Sequence, residues 1–403
     1  MTATRVAKGS TLVALAVGWA AAAWFLSRTT IPGDLKLPHV DVHAEFSVSI
    51  LHRTATYDSF LRWLWVAATL VTLAALVLFT WLGPRMASAW ELGRVATGIM
   101  VGAVTTLGTW AVVLPFGFLS LWWGHRYKLE KQSYLEWTLT QWPTLLAQVV
   151  GLTIALTILL VLAGRFGRRW WLAATPLFVG LGALLVFVLP YAESVGTRAP
   201  HKTKLSAEIR ALAREEGVGG TPVRIEKMAD ETTAVNAMAT GIGPSARVFL
   251  WDTLFDGRFT DREIEVVAAH EFGHVAHRHI WKGMGWSLLL TLPGFLVVEW
   301  ATRRRGGLEL PQNVPYSLLV LAVTGLVITP FANEVSRRYE AEADWSALRA
   351  THDSAAAESM FRKFTVYDLS QPSSPAWSYV LLDDHPTVAQ RIAMARAFRE
   401  RSR

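Results

Sequence analysis

Apolar residues gather in seven blocks, at roughly 9–27, 61–82, 96–122, 144–163, 170–190, 284–301 and 316–332. Each is close to the 20 or so residues that carry a helix across a bilayer, and short charged loops separate most of them. The pattern predicts a mainly α chain with about seven transmembrane helices. Arg5 and Lys8 precede the first block in the manner of a signal peptide; with further spans following, it reads as an uncleaved first helix. The last two blocks are short and carry Pro293 and Pro330, and the sixth also holds Glu299. An acid and prolines at that depth point to helices that are partly buried or line a cavity.

Two polar stretches, 191–283 and 333–403, remain. Each is small for a domain, and together they are of ordinary size, so the pattern predicts one domain interrupted by a transmembrane hairpin at 284–332, after a membrane domain over 1–190. Within the first stretch, 204–216 has helical periodicity, and 222–227 and 246–251 read as short strands. Asp261 looks like the N-cap of a helix running to 275.

Composition sharpens this picture at three points. Of the 403 residues, 52% are hydrophobic and 18% are charged, against about a quarter charged in soluble chains. The 39 Lys and Arg outnumber the 32 Asp and Glu to give +7, but they are scattered through loops and form no basic face. They serve as topology signals and anchors rather than a nucleic-acid surface, and the 19 Trp, many at block ends, suit the bilayer interface. There is no cysteine, which excludes thiolate metal ligands, a thiol nucleophile and disulfides.

The chemistry concentrates in His270-Glu271-Phe272-Gly273-His274. On a helix, positions i and i+4 share a face, so both imidazoles can reach one ion, and the intervening Glu271 can take a proton from water at that ion. The plain alternative is a polar helix face with two ordinary histidines. The apolar run 266–269 just before the motif argues against it, because a buried His-Glu-His cluster needs a cation or dedicated partners. The extended motif with a third histidine fails, since its glycine position is His277 and its last position is Ile280. His277 and His279 read as loop or interfacial residues.

A catalytic zinc needs a third protein ligand and an open position. Asn333, Arg337, Glu340 and Asp344 fall at i, i+4, i+7 and i+11, a single helical stripe continuing directly from an apolar block. Glu340 can ligate, and Asp344, one turn on, can orient a ligand histidine or interact with a reacting group. The alternative is a solvated helix with ion pairs, for which Glu334 and Arg338 have the spacing. Further on, His385-Pro386 opens a helix, and His385 and Arg391 could donate to an oxyanion.

Taken together, these motifs resemble the integral-membrane zinc metallopeptidases that include the CAAX prenyl endopeptidase and the bacterial heat-shock membrane protease. The resemblance rests on Asn236-Ala237 with Gly241, the run from Arg247 to Leu254, the H-E-F-G-H motif, the N-x-x-S-R-x-x-E-x-x-x-D segment ending at Asp344, and His385-Pro386 with Arg391. It covers about 190–403, and seven spans bring it nearer the prenyl endopeptidase branch.

The resemblance implies a zincin-like α+β domain with one Zn2+ held by His270, His274 and Glu340. Glu271 would be general base, Asp344 would assist, and His385 and Arg391 would contact the transition state. Substrate would be a peptide or protein lying extended along the strand around 247–251, and the catalytic side of this multi-pass cell-membrane protein would face the cytoplasm. The segment 236–241 lacks the aromatic residues usual in the prenyl branch, so processing of prenylated tails is not supported. Oligomeric state is not legible.

Two rival readings remain. Intramembrane site-2 proteases share H-E-x-x-H but add a ligand aspartate in an L-D-G-type motif, which does not occur here. A multispan transporter or metal-binding protein would fit Glu299 and the basic loops loosely.

Overall fold

The computed structural model describes residues 3–90, 92–201 and 203–402, with side chains from residue 15 onward. The N-terminal half is helical: α1 (Ala3–Leu26), the short α2 (Val42–Glu45), α3 (Val48–Ser88), α4 (Arg94–Tyr127), α5 (Tyr134–Phe166) and α6 (Trp170–Glu193). The second half opens with α7 (Lys204–Glu215) and strands β1 (Val223–Glu226), β2 (Ala237–Thr240) and β3 (Arg247–Trp251). Then come α8 (Asp261–Ala276), α9 (His279–Arg303), α10 (Val314–Thr351), α11 (Ser354–Tyr367), α12 (Ala376–Leu381) and α13 (Val388–Arg401).

The seven apolar blocks fall on α1, α3, α4, α5, α6, α9 and α10. By length and hydropathy, five segments among the described residues can cross a membrane: Val48–Ser88, Arg94–Tyr127, Tyr134–Glu193, His279–Arg303 and Pro311–Thr351. The number differs from seven for two physical reasons. Tyr134–Glu193 is one run of 60 residues, ample for two crossings, broken at Gly167 (φ 51) into α5 and α6, which pack on each other. The apolar part of α1, Leu15–Leu26, is short. Glu299 of α9 is buried and accepts the Trp170 Nε1–H of α6 at 2.9 Å, so the sixth block does pack inward.

The sheet order is β1-β3-β2, with β3 parallel to β1 and antiparallel to β2. The expectation that substrate lies along the strand at 247–251 is therefore corrected. β3 has neighbours on both sides, and the free edge beside α8 belongs to β2. Val248, Phe249 and Leu250 are fully buried, as the centre of a sheet requires, and Val248 and Leu250 form one core with Ala268, Ala269 and Phe272 of α8 and Ile392 of α13. β2 ends at Gly241 (φ 83), where an added Cβ would strike the Ser245 carbonyl. Its approach is pinned by the loop after α4: Thr233 N–H donates to Leu129 O, and Lys131 N–H to Glu231 O, both at 2.8 Å.

The N-cap of α8 is Thr260, one residue before the expected Asp261. Thr260 Oγ1 accepts the Glu263 N–H while Glu263 Oε2 accepts the Thr260 N–H at 2.7 Å, a reciprocal pair that Asp261 lacks. α8 then crosses α10 closely. A Cβ on Gly273 would stand 3.1 Å from Ser346 Cβ and 3.2 Å from Ala343 Cα, so the glycine of H-E-F-G-H is what lets the two helices meet. α10 runs unbroken from its apolar half through Asp344, carrying the polar stripe to that crossing.

Candidate metal centre

The crossing of α8 and α10 brings His270, His274 and Glu340 together, with one donor atom from each within 4.8 Å of the others. The Nε2 atoms of the two histidines are 3.1 Å apart; Glu340 Oε2 is 3.1 Å from His270 Nε2, and Glu340 Oε1 is 3.4 Å from His274 Nε2. Ligands about 2.0–2.1 Å from a tetrahedral ion are separated by roughly 3.3 Å, so this triangle has the size such an ion requires.

The protonation pattern agrees with that fit. His270 Nδ1 lies 2.9 Å from Asp344 Oδ1. A carboxylate only accepts, so Nδ1 carries a hydrogen and the ring is turned with Nε2 toward the triangle. Burial by itself would lower the His270 pKa, but without a cation Asp344 and Glu340 outweigh it and raise it to about 10, so a metal ion would take the place of the Nε2 proton. Two carboxylates that hold a proton so firmly are a ready seat for a divalent cation.

Around this triangle stand the other expected residues. Asp344 is gripped by Arg391, whose Nε and Nη2 donate to its two oxygens at 2.8 and 2.6 Å. Arg391 also stacks its guanidinium 4.4 Å from the Phe361 ring, so two of its donors are committed to Asp344. His385 is half-exposed, with Nε2 3.1 Å from Glu340 Oε2 and Nδ1 2.7 Å from Asp384 Oδ1. Burial pulls its pKa down, yet those two carboxylates hold it at about 9, so it is a donor at neutral pH. Glu271 is buried and shares a cavity of about 200 Å³ with Asn236, Ala237, Leu254, Val267, His385 and Arg391.

The polar stripe on α10 faces the C-terminal segment rather than solvent. Arg337 donates to the carbonyls of Tyr379 and Asp383 at 2.9 and 2.7 Å, and Asn333 donates to Val380 O at 3.3 Å. These bonds hold the loop that carries His385 over the triangle. Glu334 pairs with Arg337 at 2.8 Å rather than with Arg338.

His279 departs from the sequence reading. It is buried, its Nδ1 is 2.9 Å from His274 Nδ1, and its Nε2 is 2.9 Å from Glu342 Oε2. His277 is half-buried, 3.4 Å from the same carboxylate. The available signal was Tyr339, Glu342 and Ser346, a second polar row on α10 at i, i+3 and i+7.

Residues 200–399 match the sequence model of peptidase family M48. The uncharacterized metalloprotease YhfN of Bacillus subtilis is 30% identical over 305 residues, covering 72% of this chain and 71% of that protein. The chain belongs to peptidase family M48. The metalloprotease LoiP of Escherichia coli is also 30% identical, over 205 residues, covering 49% of this chain and 72% of LoiP. Among solved structures, S. mikatae Ste24p superposes with a TM-score of 0.77 over 94% of this chain and 96% of its own, at 18% identity, a likeness of fold. This M48 member is accordingly a multi-pass membrane metalloprotease, a hydrolase of peptide bonds. Membership sets aside the transporter and site-2 readings.

Proposed function

We propose that the metal is a single Zn2+ held by His270, His274 and Glu340, and that Glu271 is the general base of peptide hydrolysis. The observation that carries this is the triangle of two imidazole nitrogens and a carboxylate at tetrahedral spacing, with the His270 ring held by Asp344 so that Nε2 faces the other two. Zinc is bound by such N/O sets with one position open, and would supply Lewis-acid polarisation of the scissile carbonyl and of water.

The chain's own residues supply the rest. Glu271 takes a proton from the attacking water as the C–O bond forms, and delivers it to the amide nitrogen as the C–N bond breaks. His385, half-exposed with Nε2 3.1 Å from Glu340, donates to the oxyanion. Arg391 holds Asp344, and Asp344 holds His270. Substrate lies extended along the free edge of β2, where main-chain pairing keeps a peptide of almost any sequence in register. Asn236 and Ala237, at the start of that edge, line the same cavity as Glu271.

That mode of recognition suits membrane-associated or misfolded proteins and protein tails, with the catalytic side facing the cytoplasm. The test is metal analysis of the purified chain together with cleavage of casein. About one zinc per chain and chelator-sensitive cleavage are expected; cleavage that survives full removal of metal would refute the reading.

A further inference from the structure

A buried relay runs from His274 away from the triangle. His274 Nδ1 meets His279 Nδ1 at 2.9 Å, and His279 Nε2 meets Glu342 Oε2 at 2.9 Å. The hydrogens follow by elimination. Glu342 only accepts, so His279 Nε2 donates to it, and His279 Nδ1 is then the acceptor for the Nδ1–H of His274. That tautomer leaves the Nε2 lone pair of His274 facing Glu340 and His270.

The relay is clamped on every side. The His279 ring stacks on Tyr339 at 4.6 Å and 7°, and the Tyr339 hydroxyl donates to Leu26 O at 2.7 Å. Glu342, fully buried, also accepts from the Thr30 N–H at 2.6 Å and from Lys282 Nζ at 3.2 Å. Lys282 Nζ in turn reaches Arg28 O at 3.1 Å. An ammonium at that carboxylate excludes a second metal site built on Glu342. What remains is an orienting device, anchored to the chain that follows α1.

We infer that His279, held by Glu342, is a positioning residue for the metal. It fixes the tautomer and ring orientation of His274 as Asp344 does for His270, so that each histidine of the triangle has its own carboxylate-backed partner. This rests on His274 being a ligand, as proposed above. It differs from the Asp344 arrangement in reaching the carboxylate through a second imidazole, and in tying the metal's surroundings to the segment at 26–30.

The test is Zn2+ affinity of the full chain in detergent, by competition with a chromogenic chelator, beside the melting temperature of the metal-free protein. His279→Phe keeps a ring against Tyr339 but removes the acceptor, and zinc affinity is expected to fall roughly 10–100-fold. His279→Asn places Oδ1 where Nδ1 stands, and should stay within a few-fold of wild type. Wild-type affinity in a folded His279→Phe variant would overturn the inference. If that variant does not fold, Asn is compared with His279→Gln, whose amide N–H takes over the donation to Glu342 and leaves no acceptor where Nδ1 stands. Gln is expected about tenfold weaker than Asn, and equal affinities would overturn the inference. A wild-type chain that binds no zinc would overturn the metal assignment and this inference together, whereas zinc binding without peptide cleavage would count against the proposed activity alone.

Discussion

Gly273 of α8 lies against Ala343 of α10, so close that an added Cβ would sit 3.2 Å from the Ala343 Cα and 3.3 Å from its carbonyl oxygen. The metal triangle depends on that approach, because Glu340 and Asp344 flank Ala343 on the same helix. Gly273→Ala gains about 1 kcal/mol of helix propensity and loses a similar amount to crowding, so the melting temperature should hardly move. Zinc affinity should still fall several-fold, because the helices separate by a few tenths of an ångström. Gly273→Val should cost about 1–3 kcal/mol and most of the bound metal. Metal content and melting curves of the two variants check this.

Arg391 and Asp344 form a buried bidentate pair, so truncating one partner strands the other charge. Arg391→Leu should destabilise the fold by about 3–5 kcal/mol and loosen His270 along with Asp344. Arg391→Lys keeps the charge without the fork and should recover only part of that loss. Thermal midpoints of the metal-free variants, compared with wild type, measure both effects.

Asp368 caps the end of α11, accepts the Val235 N–H at 3.1 Å, and lines the cavity beside Glu271. Burial raises its pKa from 3.8 to about 7. The unfolded chain releases this proton near pH 4 and the folded chain near pH 7. The group's contribution to stability is therefore full below about pH 4, declines as pH climbs to about 7, and is flat above. Asp368→Asn keeps the acceptor and removes the penalty. It should be more stable than wild type by about 1–3 kcal/mol at pH 8 and indistinguishable from it at pH 4. Melting temperatures across that range test the sign.

Much of this site was legible because helix periodicity is reliable arithmetic. The i, i+4 pair His270 and His274 and the row Asn333, Arg337, Glu340 and Asp344 needed only regular helices, and α8 and α10 are regular there. β2 was missed because A-M-A-T has no alternation and is half-buried throughout; what makes it a strand is pairing with β3, a contact outside its own sequence. The substrate edge was assigned to β3 from the family resemblance, and without β2 nothing in the sequence spoke against it. His279 was misplaced for a different reason. Arg278 takes a left-handed conformation (φ 56) between α8 and α9, which turns the chain so that His279 returns to His274. A non-glycine residue in that conformation is uncommon, and no periodicity anticipates it.

The central claim is that Glu271 moves the proton at a zinc held by its neighbours, and Glu271→Gln isolates that role. Zinc content and casein cleavage should be measured on this variant and on wild type, purified side by side. The account requires about one zinc per chain in both and a loss of nearly all turnover in the variant. Undiminished cleavage by zinc-loaded Glu271→Gln would contradict it.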